Sequence, residues 1–104
     1  MSGLMYPKRR YHAAKRRTAQ EKAAHWRQVV AAVKARDGWR CRCCGAHGTD
    51  PHHLVPRSLG GQDEVRAVCL LCRSCHDQVT HHEVRIEGGN ANGTLRFVRS
   101  EWMR

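Results

Sequence analysis

The fold is decided by residues 37–83, which read DGWRCRCCGAHGTDPHHLVPRSLGGQDEVRAVCLLCRSCHDQVTHHE. Two Cys-x-x-Cys pairs, separated by 27 residues, lie near the two ends of this stretch. Each pair can grip one metal ion from a tight turn, and two pairs complete a closed tetrahedral site. We therefore predict a structural zinc ion bound by four thiolates, those of Cys41, Cys44, Cys72 and Cys75.

Two further cysteines leave the pairing open at this point. Cys43 creates a Cys-x-Cys-Cys cluster, and Cys69 offers a competing pair with Cys72. A disulfide framework or simple buried thiols are the alternatives to metal binding. Since Cys69 lies in an apolar run, we expect it in the core, and we expect no metal-binding role for Cys43.

Length and composition limit the class of protein. The chain has 104 residues, enough for one domain, with a mean hydropathy of −0.70. No apolar stretch approaches the roughly 20 residues of a membrane-spanning helix. The first residues contain no apolar signal segment, so we expect a cytoplasmic protein, in which cysteines favour metal binding over disulfides.

The positive charge is concentrated at the start of the chain. The formal net charge is +10, and 11 of the 19 Lys and Arg residues precede Cys41, against only Glu21 and Asp37. Such an excess favours a polyanionic partner, nucleic acid first and an anionic membrane second. We predict a basic, disordered arm over residues 1–17 that contacts DNA phosphates through Lys8, Arg9, Arg10, Lys15, Arg16 and Arg17, the alternative being a solvated tail.

The secondary-structure signals predict an α+β fold. Thr18 and Glu21 form a capping-box pattern and Gly38 can end a helix, so residues 18–37 are predicted to be one long helix. Helical spacing predicts its buried stripe as Ala19, Ala23, Trp26, Val30 and Val33. Beyond it we predict, in order, short strands at 50–55 and 65–71, a helix at 73–82 and a hairpin within 84–104.

The histidines form a second set of motifs, with side chains that can bind a metal or act as bases. His52-His53 is followed by Leu54-Val55-Pro56-Arg57-Ser58 and by Gly60-Gly61-Gln62-Asp63, and His76 follows Cys75 directly. Together with Cys41 to Gly45 and Leu71 to Asp77, these motifs resemble the HNH endonucleases, also called ββα-metal or His-Me finger nucleases. The resemblance covers about residues 37–83 and is closest to small zinc-bearing phage and bacterial forms. It implies a zinc-stapled ββα-metal core at 38–83 within a nuclease domain over 18–104.

The resemblance also implies roles for single residues. His53 matches the general base that activates water, and His52 and His76 match ligands of a catalytic divalent metal such as Mg²⁺, Mn²⁺ or Ni²⁺. Arg57 is expected to contact nucleic acid. The implied reaction is hydrolysis of DNA to a 5′ phosphate and a 3′ hydroxyl. Because adjacent residues of a regular strand face opposite sides, His52 and His53 would need a strand end or a bulge to share one site.

One departure from the family pattern supports a second hypothesis. The central Asn of the family falls at Ala67, whose side chain has neither a donor nor an acceptor. The alternative to an endonuclease is therefore a catalytically impaired, zinc-stabilised DNA-binding module, and a weaker third hypothesis is a nuclease that also attacks RNA. One HNH site cuts one strand, so double-strand cleavage would require a homodimer or a protein partner.

Overall fold

The computed structural model describes residues 17–100. Helix α1 spans Ala19–Asp37 and begins with the predicted capping box, in which Thr18 and Glu21 exchange side-chain and backbone hydrogen bonds. It ends at Gly38, whose left-handed conformation (φ 61°) lets the backbone turn away. None of the helices among these residues combines the length and the apolarity needed to cross a bilayer.

The centre of the molecule is a β-β-α unit. Strand β1 (Asp50–His53) pairs antiparallel with β2 (Val68–Leu71), with His53 opposite Val68, and helix α2 follows at Arg73–Thr80. Both strands are shorter than predicted, since the chain leaves β1 at Leu54 and residues 65–67 form a 3-10 turn before β2. Helix α2 is also shorter than predicted and ends at Thr80.

A second antiparallel hairpin closes the described part of the chain. It consists of β3 (Val84–Glu87) and β4 (Arg96–Arg99), with Ile86 opposite Phe97. The hairpin packs against the far side of the β-β-α unit from α1, where Ile86 and Phe97 contact the core around Cys69 and Leu71. The prediction of an α+β fold with a cysteine cluster, a preceding long helix and a closing hairpin is confirmed.

The β1–β2 sheet separates two apolar clusters. Val68 and Leu70 face α1 and pack against Val29 and Val33, whereas Cys69 and Leu71 face the cysteine cluster and the hairpin. The predicted stripe of α1 is therefore wrong in part. Ala19 and Ala23 are exposed and Val29 is buried, because only the second half of α1 lies over β2.

An ionic network fixes α1 to the rest of the chain. The carboxylate of Asp37, only 2% exposed, accepts hydrogen bonds from Arg36, Arg42 and the backbone N–H of Leu70. Arg36 also donates to the carbonyls of Val65, the first residue of the 3-10 turn, and of Val68, the residue that follows the turn. The guanidinium of Arg36 therefore joins α1 to β2.

Candidate active site

The four predicted cysteines converge on one point. The sulfurs of Cys41, Cys44, Cys72 and Cys75 all lie within 4.8 Å of one another, and the Cys44 and Cys72 sulfurs are 3.8 Å apart. Zinc–sulfur bonds of about 2.3 Å at tetrahedral angles require sulfur–sulfur separations of roughly 3.8 Å. The four sulfurs therefore have the spacing that a structural zinc ion needs.

Backbone amides support the charge that such a site would carry. The N–H groups of Cys43 and Cys44 point at the sulfur of Cys41, and the N–H of Cys75 points at the sulfur of Cys72. Burial opposes ionisation of Cys41, but these amide donors outweigh it and lower its pKa to about 7. Burial and the neighbouring thiols raise the pKa of Cys75. Four sulfurs this close cannot all ionise without a cation among them, which fits a zinc site.

The two remaining cysteines lie outside this tetrahedron. Cys69 is fully buried in β2, and burial raises its pKa to about 12, so it is a core thiol as expected. Cys43 is half-buried beside Cys75, and burial raises its pKa as well. All six cysteines are free of disulfides, which removes the disulfide framework as an alternative.

The adjacent histidines of β1 point to opposite faces of the sheet. His52 lies beside His76 of α2, with ring centroids 5.4 Å apart in an edge-to-face arrangement. His53 lies against Trp26 of α1, with nearly parallel rings 5.0 Å apart. No bulge interrupts the pairing of β1 with β2, so the strand keeps its ordinary alternation. The structure brings His52 and His76 together and places His53 on the other side.

A carboxylate orients the α2 side of the site. Asp50, two residues before His52 on the same face, lies 3.0 Å from Nδ1 of His76 and 2.9 Å from Nε of Arg73. The hydrogen bond with His76 is the main reason that the pKa of Asp50 is lowered. An ionised carboxylate can only accept, so Nδ1 of His76 carries the hydrogen and Nε2 keeps a lone pair. Burial, followed by the charges of His76 and His53, lowers the pKa of His52, which favours its neutral form.

The α1 side of the site is a compact polar cluster around Asp63. Its carboxylate lies 2.9 Å from Nε2 of His53 and receives two hydrogen bonds from Arg57. The guanidinium of Arg57 also lies over the ring of Trp26, 4.6 Å from its centroid. Burial raises the pKa of Asp63, but the hydrogen bonds from Arg57 and His53 outweigh it and lower that pKa overall. Asp63 is therefore an ionised acceptor shared by His53 and Arg57.

An open groove of about 1050 Å³ runs beside this cluster, between the first half of α1 and the Gly60-Gly61 loop. Arg17, Lys22 and Arg57 line it, together with Trp26 and Asp63. Of the residues predicted to contact nucleic acid, Arg17 and Arg57 thus border one groove. The other five, Lys8, Arg9, Arg10, Lys15 and Arg16, lie outside the described residues.

Backbone bonds hold Ala67 where the resemblance implies an Asn. The carbonyl of Ala67 accepts from the N–H of Leu54, and its N–H donates to the carbonyl of Glu64. Arg36 binds the carbonyls of Val65 and Val68 on either side. The turn that carries Ala67 is therefore braced by its own backbone and by α1.

Three residues gain contacts that the sequence did not assign to them. Asp63 and Asp50 hold His53 and His76, and Trp26, expected only as core, stacks on His53. The sequence could have placed Asp50 beside His52, because residues two apart on a strand share a face. No sequence pattern places Asp63 and Trp26 beside His53, since only the tertiary fold brings them there.

Comparison with known proteins finds one matching family and similar proteins in two bacteria. Residues 41–82 match the family model for HNH endonucleases. The chain is similar to "Anaredoxin" of Nostoc sp., 29% identical over 70 residues that cover 65% of this chain and 92% of that protein. It is also similar to the uncharacterized protein YdfU of Escherichia coli, 31% identical over 90 residues that cover 81% of this chain.

These relatives differ in how much of their length the chain covers. It spans nearly all of the Nostoc protein but only 23% of YdfU. No solved structure matches significantly. The family model covers both cysteine pairs, both adjacent histidines and His76. The resemblance of this segment to the HNH endonucleases, a family of nucleases, is thereby confirmed.

Proposed function

We propose that the chain is a metal-dependent HNH endonuclease that hydrolyses phosphodiester bonds in DNA, by nicking or cleaving it. The observation that carries the proposal is the meeting of His52 and His76 beside Asp50, inside a segment that matches the HNH family. In this proposal the Cys41, Cys44, Cys72 and Cys75 cluster holds a structural zinc ion, which fixes the start of α2 and hence His76.

The residues around His76 fit a catalytic divalent metal. With Nδ1 of His76 bound to Asp50, its Nε2 is the nitrogen available as a ligand, and a carboxylate behind a histidine is a common support for metal binding. His52 supplies a second imidazole from β1. A divalent ion held here, such as Mg²⁺, Mn²⁺ or Ni²⁺, would stabilise negative charge on the scissile phosphate and the departing 3′ oxygen.

His53 is proposed as the general base that takes a proton from the attacking water. Its position on the α1 face requires the substrate to reach both faces of β1. Among residues 17–100, β1 pairs with β2 alone, so no other strand occupies the second edge of β1. A phosphate at this edge, where the strand ends at His53, can be contacted from both sides.

Charge supports DNA as the substrate. Arg17, Lys22 and Arg57 line the groove next to His53, and Arg17 is the last residue of the predicted basic arm. Basic side chains that neutralise phosphates give sequence-independent affinity. We propose that residues 1–17 hold the DNA backbone while residues 18–104 act on it, in the cytoplasm of a bacterial or phage-infected cell. Double-strand cleavage would need a homodimer or a partner.

A zinc-stabilised DNA-binding module without catalysis is the second candidate, and Ala67 favours it. The side chain at this position offers no hydrogen bond to substrate or metal. Arg36 and backbone bonds brace the turn, but they do not supply the side-chain amide of an Asn. The two candidates share the cysteine site and the basic surface, so only a catalytic assay separates them.

The test is a plasmid assay with purified, zinc-loaded protein. Supercoiled plasmid is incubated with Mg²⁺, Mn²⁺ or Ni²⁺, or with EDTA, and nicked and linear products are separated on gels. We expect metal-dependent nicking that is lost in His53→Ala and His76→Ala, and kept in His81→Ala, a matched change of an exposed histidine. If wild type and His53→Ala behave identically under every metal, the enzyme proposal is wrong. Plasmid binding without nicking would establish the DNA-binding module.

A further inference from the structure

We propose that Asp63 is a positioning residue for His53: its carboxylate holds the imidazole in the tautomer that leaves Nδ1 as the basic nitrogen. The inference rests on the proposed function, because it assigns the atom through which His53 would act. The alternative is that Asp63 and Arg57 form an ion pair that serves only to hold the Gly60-Gly61 loop.

The identity of the basic nitrogen follows from hydrogen-bond chemistry. Asp63 lies 2.9 Å from Nε2 of His53 and also accepts two hydrogen bonds from Arg57, whose positive charge keeps the carboxylate ionised. An ionised carboxylate has no hydrogen to give, so the hydrogen of this contact belongs to Nε2. A neutral imidazole carries one N–H, and its lone pair must then be on Nδ1. Among residues 17–100, Nδ1 of His53 has no hydrogen-bond partner.

Asp63 sets the tautomer of His53, and packing fixes the direction of its ring. Trp26 lies nearly parallel to His53, at an interplanar angle of 14°, and the side chain of His53 is only 14% exposed. Asp63 is anchored through its own backbone, because Nε2 of His25 lies 2.7 Å from its carbonyl and so must donate to it. The imidazole is thus held against α1 on one side and by the loop at its Nε2 end.

The cluster has the arrangement expected of a base with an orienting carboxylate. In the proposed step, a water oxygen forms a bond to phosphorus while one of its protons moves to Nδ1 of His53. The bond between phosphorus and the 3′ oxygen breaks, and the 3′ oxygen takes a proton from solvent. The imidazolium that forms is stabilised by Asp63, and it later releases its proton to solvent from Nδ1.

The experiment compares Asp63→Ala and Asp63→Asn with Glu64→Ala, in zinc-loaded full-length protein. Glu64 is the neighbouring carboxylate of the same loop, and its ion pair with Arg66 is exposed, so its loss removes the same charge without touching His53. We expect kcat for plasmid nicking to fall by about 10- to 100-fold in Asp63→Ala with KM changed less than about threefold. Asp63→Asn, which keeps an acceptor oxygen, should lose less, and Glu64→Ala should keep the kcat of wild type.

A spectroscopic readout tests the contact without activity. In ¹⁵N spectra of the histidine rings above the pH at which they are charged, His53 of wild type and Glu64→Ala should be protonated on Nε2. Asp63→Ala should show a mixture of tautomers. Circular dichroism verifies that this variant is folded, and Asp63→Asn serves as the second variant if it is not. Protonation of wild-type His53 on Nδ1, or an unchanged kcat in Asp63→Ala, would overturn the inference. If wild type itself fails to nick while Nε2 carries the hydrogen, the proposed function fails and the contact stands.

Discussion

Replacing Asp37 by Asn is expected to destabilise the protein more than any exposed acidic substitution. One oxygen of Asp37 accepts from Nε of Arg36 at 2.8 Å and from Arg42 at 3.0 Å. The other accepts from a second nitrogen of Arg36 at 2.8 Å and from the N–H of Leu70 at 3.0 Å. Through these bonds a single carboxylate joins α1, the Cys41–Cys44 turn that contains Arg42, and β2.

The magnitude follows from what Asn can still accept. In either orientation of the amide, its oxygen keeps two of the four donors and its NH₂ group faces the other two. At least one of the two lost bonds comes from a guanidinium, and the paired charge is lost with it. Hydrogen bonds to charged groups contribute about 1.5–3 kcal/mol each, and breaking one partner of a buried pair costs about 3–5 kcal/mol. We expect the free energy of unfolding to fall by about 3–5 kcal/mol at pH 7, a large part of the total for a chain of this size.

The pH dependence gives a second measurement with a fixed sign. Burial raises the pKa of Asp37, but the hydrogen bond and charge of Arg36, the amide of Leu70 and the charge of Arg42 hold it below 3.8. Asp37 binds a proton more weakly in the folded state than in the unfolded state. Its contribution to stability is therefore fully present above about pH 3.8 and is lost as the pH falls through the pKa of the folded state. The difference between wild type and Asp37→Asn should therefore be constant near neutrality and shrink in acid.

Urea unfolding, followed by tryptophan fluorescence in zinc-loaded protein, measures both quantities. Acid also releases metal from thiolates, but it does so in both variants, so their difference in unfolding free energy remains the relevant quantity. Asp77→Asn, an exposed carboxylate on α2, is the control and should change stability by less than about 0.5 kcal/mol. A loss below about 1 kcal/mol for Asp37→Asn, or a difference that grows in acid, would refute the network as the link between α1 and β2.

The remaining predictions concern the metal site and the loop. Cys72→Ser should abolish stoichiometric zinc, measured by mass spectrometry of the metal, whereas Cys69→Ala should retain it, because Cys69 is a core thiol outside the tetrahedron; zinc retained in Cys72→Ser would contradict the assignment. Gly61→Ala should lower thermal stability and nicking together, because a Cβ there would lie 1.8 Å from the carbonyl oxygen of Val55 and must displace the loop that carries Asp63. Gly60→Ala meets no atom within 4 Å and should cost only the strain of its φ of 96°, about 1 kcal/mol; equal effects of the two changes would refute the steric argument.

Local rules were sufficient for the features that depend on neighbouring residues. The capping box at Thr18 and the end of α1 at Gly38 were predicted correctly, because each is set by residues close together in the chain. The meeting of the two Cys-x-x-Cys pairs was also predicted correctly, because a closed zinc site needs four ligands and each pair supplies two. The assignment of Cys69 to the core followed from the apolar run around it and is confirmed.

Features that depend on the relative placement of elements were not predictable in this way. Periodicity marked Ala19 as a buried residue of α1, but Val29 is buried because of where α1 crosses β2, which no helical spacing encodes. Nothing in the sequence around Arg36 indicates that it binds the carbonyls of Val65 and Val68, which are about 30 positions away in the chain. Asp63 lies ten residues from His53, and only the folded loop brings the two side chains into contact.

The alternation of β1 places a firm condition on the proposed reaction. His52 and His53 were expected to share one site through a bulge or a strand end, and the strand is regular through His53. Because the two imidazoles face opposite sides, a substrate bound flat on either face would meet the proposed metal ligand or the proposed base, but not both. The scissile phosphate must therefore cross the end or the unpaired edge of β1, between the groove beside α1 and His76 on α2. A DNA-bound structure with the phosphate confined to one face would favour the binding module over the enzyme.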